Sequence, residues 1–167
     1  MRNAWLLALS SIALAQSPVV ADESLVRFEG GIGVIPVSSV AGTQNANGTF
    51  PDVNRNDVRG VGPAMQLWVI SSLSVDVKVD GRISVDGRGL LLAGGNAIGT
   101  AAGQMVQARL FCGTVAHNSG LVALDPNGNF QIDDVLSPTP PDPCSSPVLL
   151  IVNAGGRWFA AGIQKLH

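Results

Sequence analysis

The chain has 167 residues, 46% of them hydrophobic and only 13% charged, with ten Lys+Arg against twelve Asp+Glu for a formal charge of −2. That weakly acidic balance leaves no electrostatic footprint for nucleic acid and no basic patch for an anionic membrane. Polar surface must come instead from Ser, Thr, Asn, Gln and Gly.

The N-terminus, MRNAWLLALSSIALAQ, reads as an export signal over residues 1–15. Arg2 supplies the positive start, and Ala4 to Leu14 is an apolar run too short to span a bilayer. Ala13-Leu14-Ala15 offers the small residues a signal peptidase needs, with Gln16 first in the mature chain. No later stretch is both long and apolar enough to cross a membrane. Residues 16–167 then suit a single domain with a sizeable core, secreted or periplasmic.

Strand signals follow in order. Leu25-Val26-Arg27-Phe28 and Ile32-Gly33-Val34-Ile35 read as strands broken at Gly30-Gly31. Residues 38–63 are rich in Ser, Asn, Gly, Asp and Pro and are expected to form a long polar loop. Leu67 to Ile70 leads into VDVKVDGRISVDGRGLLLAGG, residues 75–95. There Val75, Val77 and Val79 alternate with Asp76, Lys78 and Asp80, as in a half-buried strand. Asp80-Gly81 is expected to be a two-residue hairpin turn of type I′. Ile83 and Val85 continue the alternation, and Asp86-Gly87 is read as a second change of strand or a bulge.

Gly94 to Gly103 is a small-residue loop, and Met105 to Phe111 is a strand ending at Cys112. Asp125-Pro126-Asn127-Gly128 turns between Leu121–Leu124 and Phe130–Ile132. Pro138 to Pro147 holds five prolines and must be a stiff, extended connection. Val148–Val152 and Trp158–Ile163 close the domain around Asn153-Ala154-Gly155-Gly156. Beyond the leader no window carries a helical period. The expected class is all-β: a single antiparallel β-sandwich, Ig-like or jelly-roll-like, with a barrel as the alternative.

Few residues offer chemistry. Cys112 and Cys144 are the only cysteines. In an oxidising compartment they read most simply as one disulfide, with two free thiols as the alternative. A metal site is disfavoured because His117 and His167 lack ligand spacing to either cysteine. Gly94-Gly95-Asn96-Ala97-Ile98-Gly99-Thr100 has P-loop glycine spacing without the lysine that must reach the phosphates. In Gly31-Ile32-Gly33 the third dinucleotide glycine is replaced by Pro36. Asp125-Pro126-Asn127-Gly128-Asn129 fails as a calcium loop, since Leu136 stands where the bidentate Glu belongs.

Asp133-Asp134 reads as a solvated turn. His117 with Ser119 is the one conceivable nucleophile–base pair, but no Gly-x-Ser-x-Gly elbow surrounds Ser119. An exposed loop imidazole is expected there. Trp68, Trp158 and Phe159 are expected in the core, with an aromatic binding surface as the other reading. No catalytic residue and no cofactor is assigned.

The P-x-x-x-x-WVI pattern over Pro63–Ile70, PPDPCSSP at 140–147 and WFAAGI at 158–163 together resemble a family of small exported bacterial proteins of unknown function. The resemblance runs from about residue 26 onward and rests on architectural positions. It implies that Cys112 and Cys144 pair and that the host is bacterial, and it carries over no active site. The expected role is an exported, non-catalytic binding or structural module with a protein or carbohydrate partner. The alternatives are a small secreted hydrolase using scattered carboxylates or His117, and an assembly subunit docking through a sheet edge such as Val148–Val152.

Overall fold

The computed structural model describes residues 23–39, 46 and 53–166. The expected leader, residues 1–15, and residues 40–45 and 47–52 of the expected polar loop lie outside the described residues. The architecture is all-β, with no helix among the described residues. One large antiparallel sheet curls into a half-barrel, consistent with a sandwich or barrel.

Its strands in chain order are β1 (Ser24–Gly33), β5 (Ser72–Lys78), β6 (Arg82–Arg88), β8 (Met105–Cys112), β9 (Val115–Asn118), β10 (Val122–Ala123), β11 (Phe130–Val135), β12 (Val148–Asn153) and β13 (Trp158–Gln164). Two small pairs sit apart: β2 (Val37–Ser39) with β3 (Val53–Arg55), and β4 (Trp68–Val69) with β7 (Leu91–Leu92). Spatial order in the large sheet is β10-β8-β12-β13-β1-β5-β6-β11, with β9 also on β8.

The β5–β6 hairpin explains the repeated Asp-Gly. Val75 pairs with Val85 and Val77 with Ile83, and all four are buried on one face. The turn differs from the expected two-residue type. The Gly81 amide donates to the Lys78 carbonyl at 2.9 Å, so Val79 and Asp80 are the central residues. Gly81 follows at φ 88°, the left-handed position of a three-residue hairpin with a glycine bulge. Val79 therefore leaves the buried face and is half-buried in the turn.

The second Asp-Gly is no turn, because β6 runs through it. Gly87 lies opposite Phe130, and a Cβ there would collide with the Phe130 ring. The glycine is a space for an aromatic ring on the neighbouring strand.

Three further expectations are corrected. Gly30-Gly31 does not break β1; it carries a register shift on the β13 side between Phe28 and Gly31, which the strand absorbs as a bulge. The stretch 38–63 contains β3, a Val58–Val61 bridge and the buried Val61. Asp133 and Asp134 lie on β11, opposite Ser84 and Ile83, rather than in a turn.

The sheet edge proposed at Val148–Val152 does not exist as an edge. β12 is paired on one side with β8 and on the other with β13. Leu149, Leu150, Ile151 and Val152 are all completely buried. A strand covered on both faces reads as a continuous apolar run, which is why its sequence looked adhesive.

The two ends of the curled sheet meet at one seam. Asn118, closing β9, and Ser137, just past β11, exchange both backbone hydrogen bonds at 2.9 Å. The Asp134 carboxylate reinforces the seam by accepting from the Gly120 amide at 2.6 Å. Within this wrap Phe28, Val77, Leu110, Ile132 and Ile151 belong to one continuous core.

Candidate functional site

His117 and Ser119 are the only buried polar side chains among the described residues. The exposed imidazole expected from the sequence is thus overturned: His117 is 2% exposed. Its Nδ1 stands 2.6 Å from the Pro138 carbonyl oxygen, which can only accept, so Nδ1 carries the proton. Nε2 is buried with no hydrogen-bond partner among the described residues. Ser119 Oγ accepts from the Ala108 amide at 2.9 Å and donates to the Gly120 carbonyl at 2.9 Å. The serine proton is thus committed to backbone and not to the imidazole. The pair serves as struts of the seam: β9 and the 137–138 segment bring these side chains inward because apolar strands surround them.

Cys112 and Cys144 form a disulfide with Cα atoms 4.9 Å apart. The Gly113 amide donates to the Ser145 carbonyl at 2.5 Å, so the proline-rich segment is pinned to the end of β8 by a covalent and a hydrogen bond.

The motifs read as turns are held by their own atoms. Asp125 Oδ1 accepts from the amides of Asn127 and Asn129, both at 2.8 Å, and Oδ2 from Asn129 Nδ2 at 3.0 Å. These bonds, that of the Asn129 amide first, hold its carboxyl below the usual carboxylate range. In the 94–100 loop the Gly99 amide donates to Leu92, Ile98 to Gly95 and Thr100 to Ala97. Those amides point back into the loop rather than outward as a phosphate cradle would require.

Two surface concavities stand out. A groove of about 400 Å³ lies against β5, β6 and β11, lined by Asp76, Lys78, Arg82 and Asp133 together with the apolar Ile83 and Val135. Asp76 there is paired with Lys78 at 3.0 Å. Partial burial pushes the Asp76 carboxyl up, and hydrogen bonds from Ser24 and Lys78 with the charges of Lys78 and Arg27 outweigh it, for a net lowering.

The second concavity, also largely apolar, lies where β4 and β7 meet the end of β1. Trp68 and Phe159 stack in the core with centroids 4.2 Å apart and planes at 16°. Around them the chain leaves apolar side chains outside. Met65 is 83% exposed, Ile35 61% and Leu67 43%. With Pro36 they line a groove of about 430 Å³. Ile98, in the turn closed by its amide on Gly95 in the 94–100 loop, is also exposed, at 63%.

The groove walls are fixed by backbone bonds. Trp68 donates to Val34 at 3.2 Å, Ala93 to Leu67 at 2.9 Å and Ala64 to Trp158 at 3.0 Å. Asn56 clamps the far wall: its amide donates to Pro36, its Nδ2 to Ile35, and its carbonyl accepts from Trp158 Nε1 at 2.8 Å. Trp158 and Phe159 are core residues as expected, and so is Trp68.

Sequence reasoning passed over Met65, Ile35 and Leu67. They lie inside segments read as strands or as an architectural pattern, where apolar residues are ordinarily buried. Only the absence of alternation around Ala64–Leu67 distinguishes them. Compared with protein-family models, curated proteins and solved structures, the chain matches none.

Proposed function

We propose that this chain is an exported, non-catalytic binding module whose contact face is the apolar groove around Met65. The observation that carries the reading is the joint exposure of Ile35, Met65 and Leu67 on a wall held rigid by Asn56 and Trp68. Soluble domains rarely leave adjoining large apolar side chains in water unless something covers them. A volume of about 430 Å³ falls in the range of small-molecule sites. The Cys112–Cys144 disulfide is compatible with an oxidising compartment, which supports the export reading of residues 1–15.

An uncharged environment-sensitive dye, Nile red, tests the face. Its emission should rise on the wild-type protein, fall back in Met65→Lys and persist in Gln131→Lys, which alters β11 instead. No enhancement, or one indifferent to Met65→Lys, overturns the reading. Export is checked separately by sequencing the mature N-terminus from the natural host. It should begin at or near Gln16, and a chain still starting at Met1 would exclude export.

A further inference from the structure

The apolar groove has a charged head. Arg55 ends β3, and Arg157 follows the Asn153–Gly156 turn, where its amide donates to Asn153 Oδ1 at 2.9 Å. The two are distant in sequence, yet their guanidinium tips converge over Gly62. A Cβ at Gly62 would stand 2.8 Å from Arg55 Nη2 and would overlap Arg157 Nη1. The glycine is therefore the space into which both cations fit. It is positioned by its neighbours, since the Trp158 amide donates to the Gly62 carbonyl at 3.0 Å.

Like charges brought this close repel unless an anion lies between them. The nearby carboxylate is Asp57, whose Oδ1 is 3.8 Å from Arg55 Nε, with both side chains about half exposed (48% and 52%). Arg157 has no carboxylate partner among the described residues. The remaining local cation, Arg59, points its Nη2 at the Ser146 carbonyl at 3.2 Å. Among the described residues the head of the groove thus carries more positive than negative charge.

Each cation lines a hollow that has Ala64 and Met65 in its wall. Arg55 lines a small hollow of about 170 Å³ with Pro36, Pro63, Ala64 and Met65. Pro36 and Met65 also line the larger groove, so the two adjoin. Arg157 lines a third hollow of about 240 Å³ that also includes Ala64 and Met65, with Trp68 and Phe159.

Resting on the binding-module reading, we infer that this groove takes a small carboxylate amphiphile: an alkyl chain along Ile35, Pro36, Met65 and Leu67, its carboxylate between Arg55 and Arg157. A carboxylate accepts paired N–H bonds from guanidinium forks, and its charge relieves the repulsion over Gly62. The apolar walls take the chain because they are already exposed and need not be uncovered.

Titration calorimetry with decanoate and with decan-1-ol, each below its aggregation limit, tests the assignment on the oxidised protein. Decanoate should bind wild type about tenfold more tightly than the alcohol. That preference should vanish in Arg157→Gln and in Arg55→Gln while alcohol binding stays unchanged. Gly62→Ala, which keeps both charges but displaces them, should also erase it. Circular-dichroism melts identify any variant that has lost its fold.

Equal affinity for the two ligands, or a preference surviving both arginine substitutions, overturns the carboxylate assignment and leaves the binding face standing. Failure of decanoate, decan-1-ol and Nile red alike removes the face itself.

Discussion

The β5–β6 hairpin and the β9 seam are built by opposite means. In the hairpin each strand declares its own place: Val75, Val77, Ile83 and Val85 turn inward while Asp76, Ser84 and Asp86 remain outside the core. In the seam, β9 spans only Val115–Asn118, and its one deeply buried side chain is an imidazole. Nothing in Ala116-His117-Asn118 directs that ring inward. It is buried because Leu110 stands opposite on β8 and the Pro138 carbonyl waits across the seam. A strand whose pattern matches its environment is specified locally; one placed by its neighbours is specified only by the finished fold.

The sharpest way to break the comparison is to charge the hairpin's buried face. Val77 is completely buried in the core. Val77→Asp would leave a carboxylate there without a partner and should cost more than about 4 kcal/mol, enough to unfold a marginal domain. Lys78→Ser on the other face removes the ion pair with Asp76 and should cost about 1 kcal/mol or less. Chemical denaturation of both variants checks this. Comparable small losses would show that the face assignment, and with it the contrast between the two regions, is wrong.

The seam should respond less and more locally. His117→Ala removes a buried ring and leaves the Pro138 carbonyl without its donor, for an expected loss of about 2–3 kcal/mol. Amide exchange should then quicken at Asn118 and Ser137, whose mutual bonds close the sheet, before it quickens at Val75 or Val85. Uniform acceleration across both regions would mean that the seam is not a separable unit.

Legibility in the sequence follows the same division. The all-β class, the hairpin, β8, β12 and β13 were readable because alternation, apolar runs and turn residues act within a few positions. The cysteine pairing was open to argument from compartment alone, and the bridge sits where a proline-stiffened segment needs an anchor. Gly87 misled because a glycine making room for Phe130 looks the same as a glycine making a turn. β12 misled because a strand buried on both faces resembles an adhesive edge. The candidate site was least legible: Arg55, Gly62, Met65 and Arg157 come together only through the Asn56 and Trp158 contacts, which no local pattern announces.

The smallest effect separates the two regions by pH. Asp134 accepts at the seam from the Gly120 amide at 2.6 Å and from its neighbour Val135 at 2.8 Å. These bonds, Gly120 first, hold its carboxyl below the ordinary value of 3.8. A carboxyl lowered in the folded state contributes stability that is fully present above its unfolded value and is lost as pH falls through the folded one. The seam should therefore loosen only below about pH 4, as Asp134 takes up a proton. Because this carboxylate is exposed, solvent screening limits its share to about 1 kcal/mol at most. Asp134→Asn keeps the acceptor oxygen and removes the charge. It should flatten part of the acid limb of the melting-temperature profile, with the protection of the Asn118 and Ser137 amides, relative to their intrinsic exchange, constant across that range. The hairpin's Asp80, whose carboxyl is lowered chiefly by the Arg82 side chain, provides the internal comparison. Asp80→Asn should leave seam exchange untouched, and an equal response at the seam would show that Asp134 is not what acid acts on there.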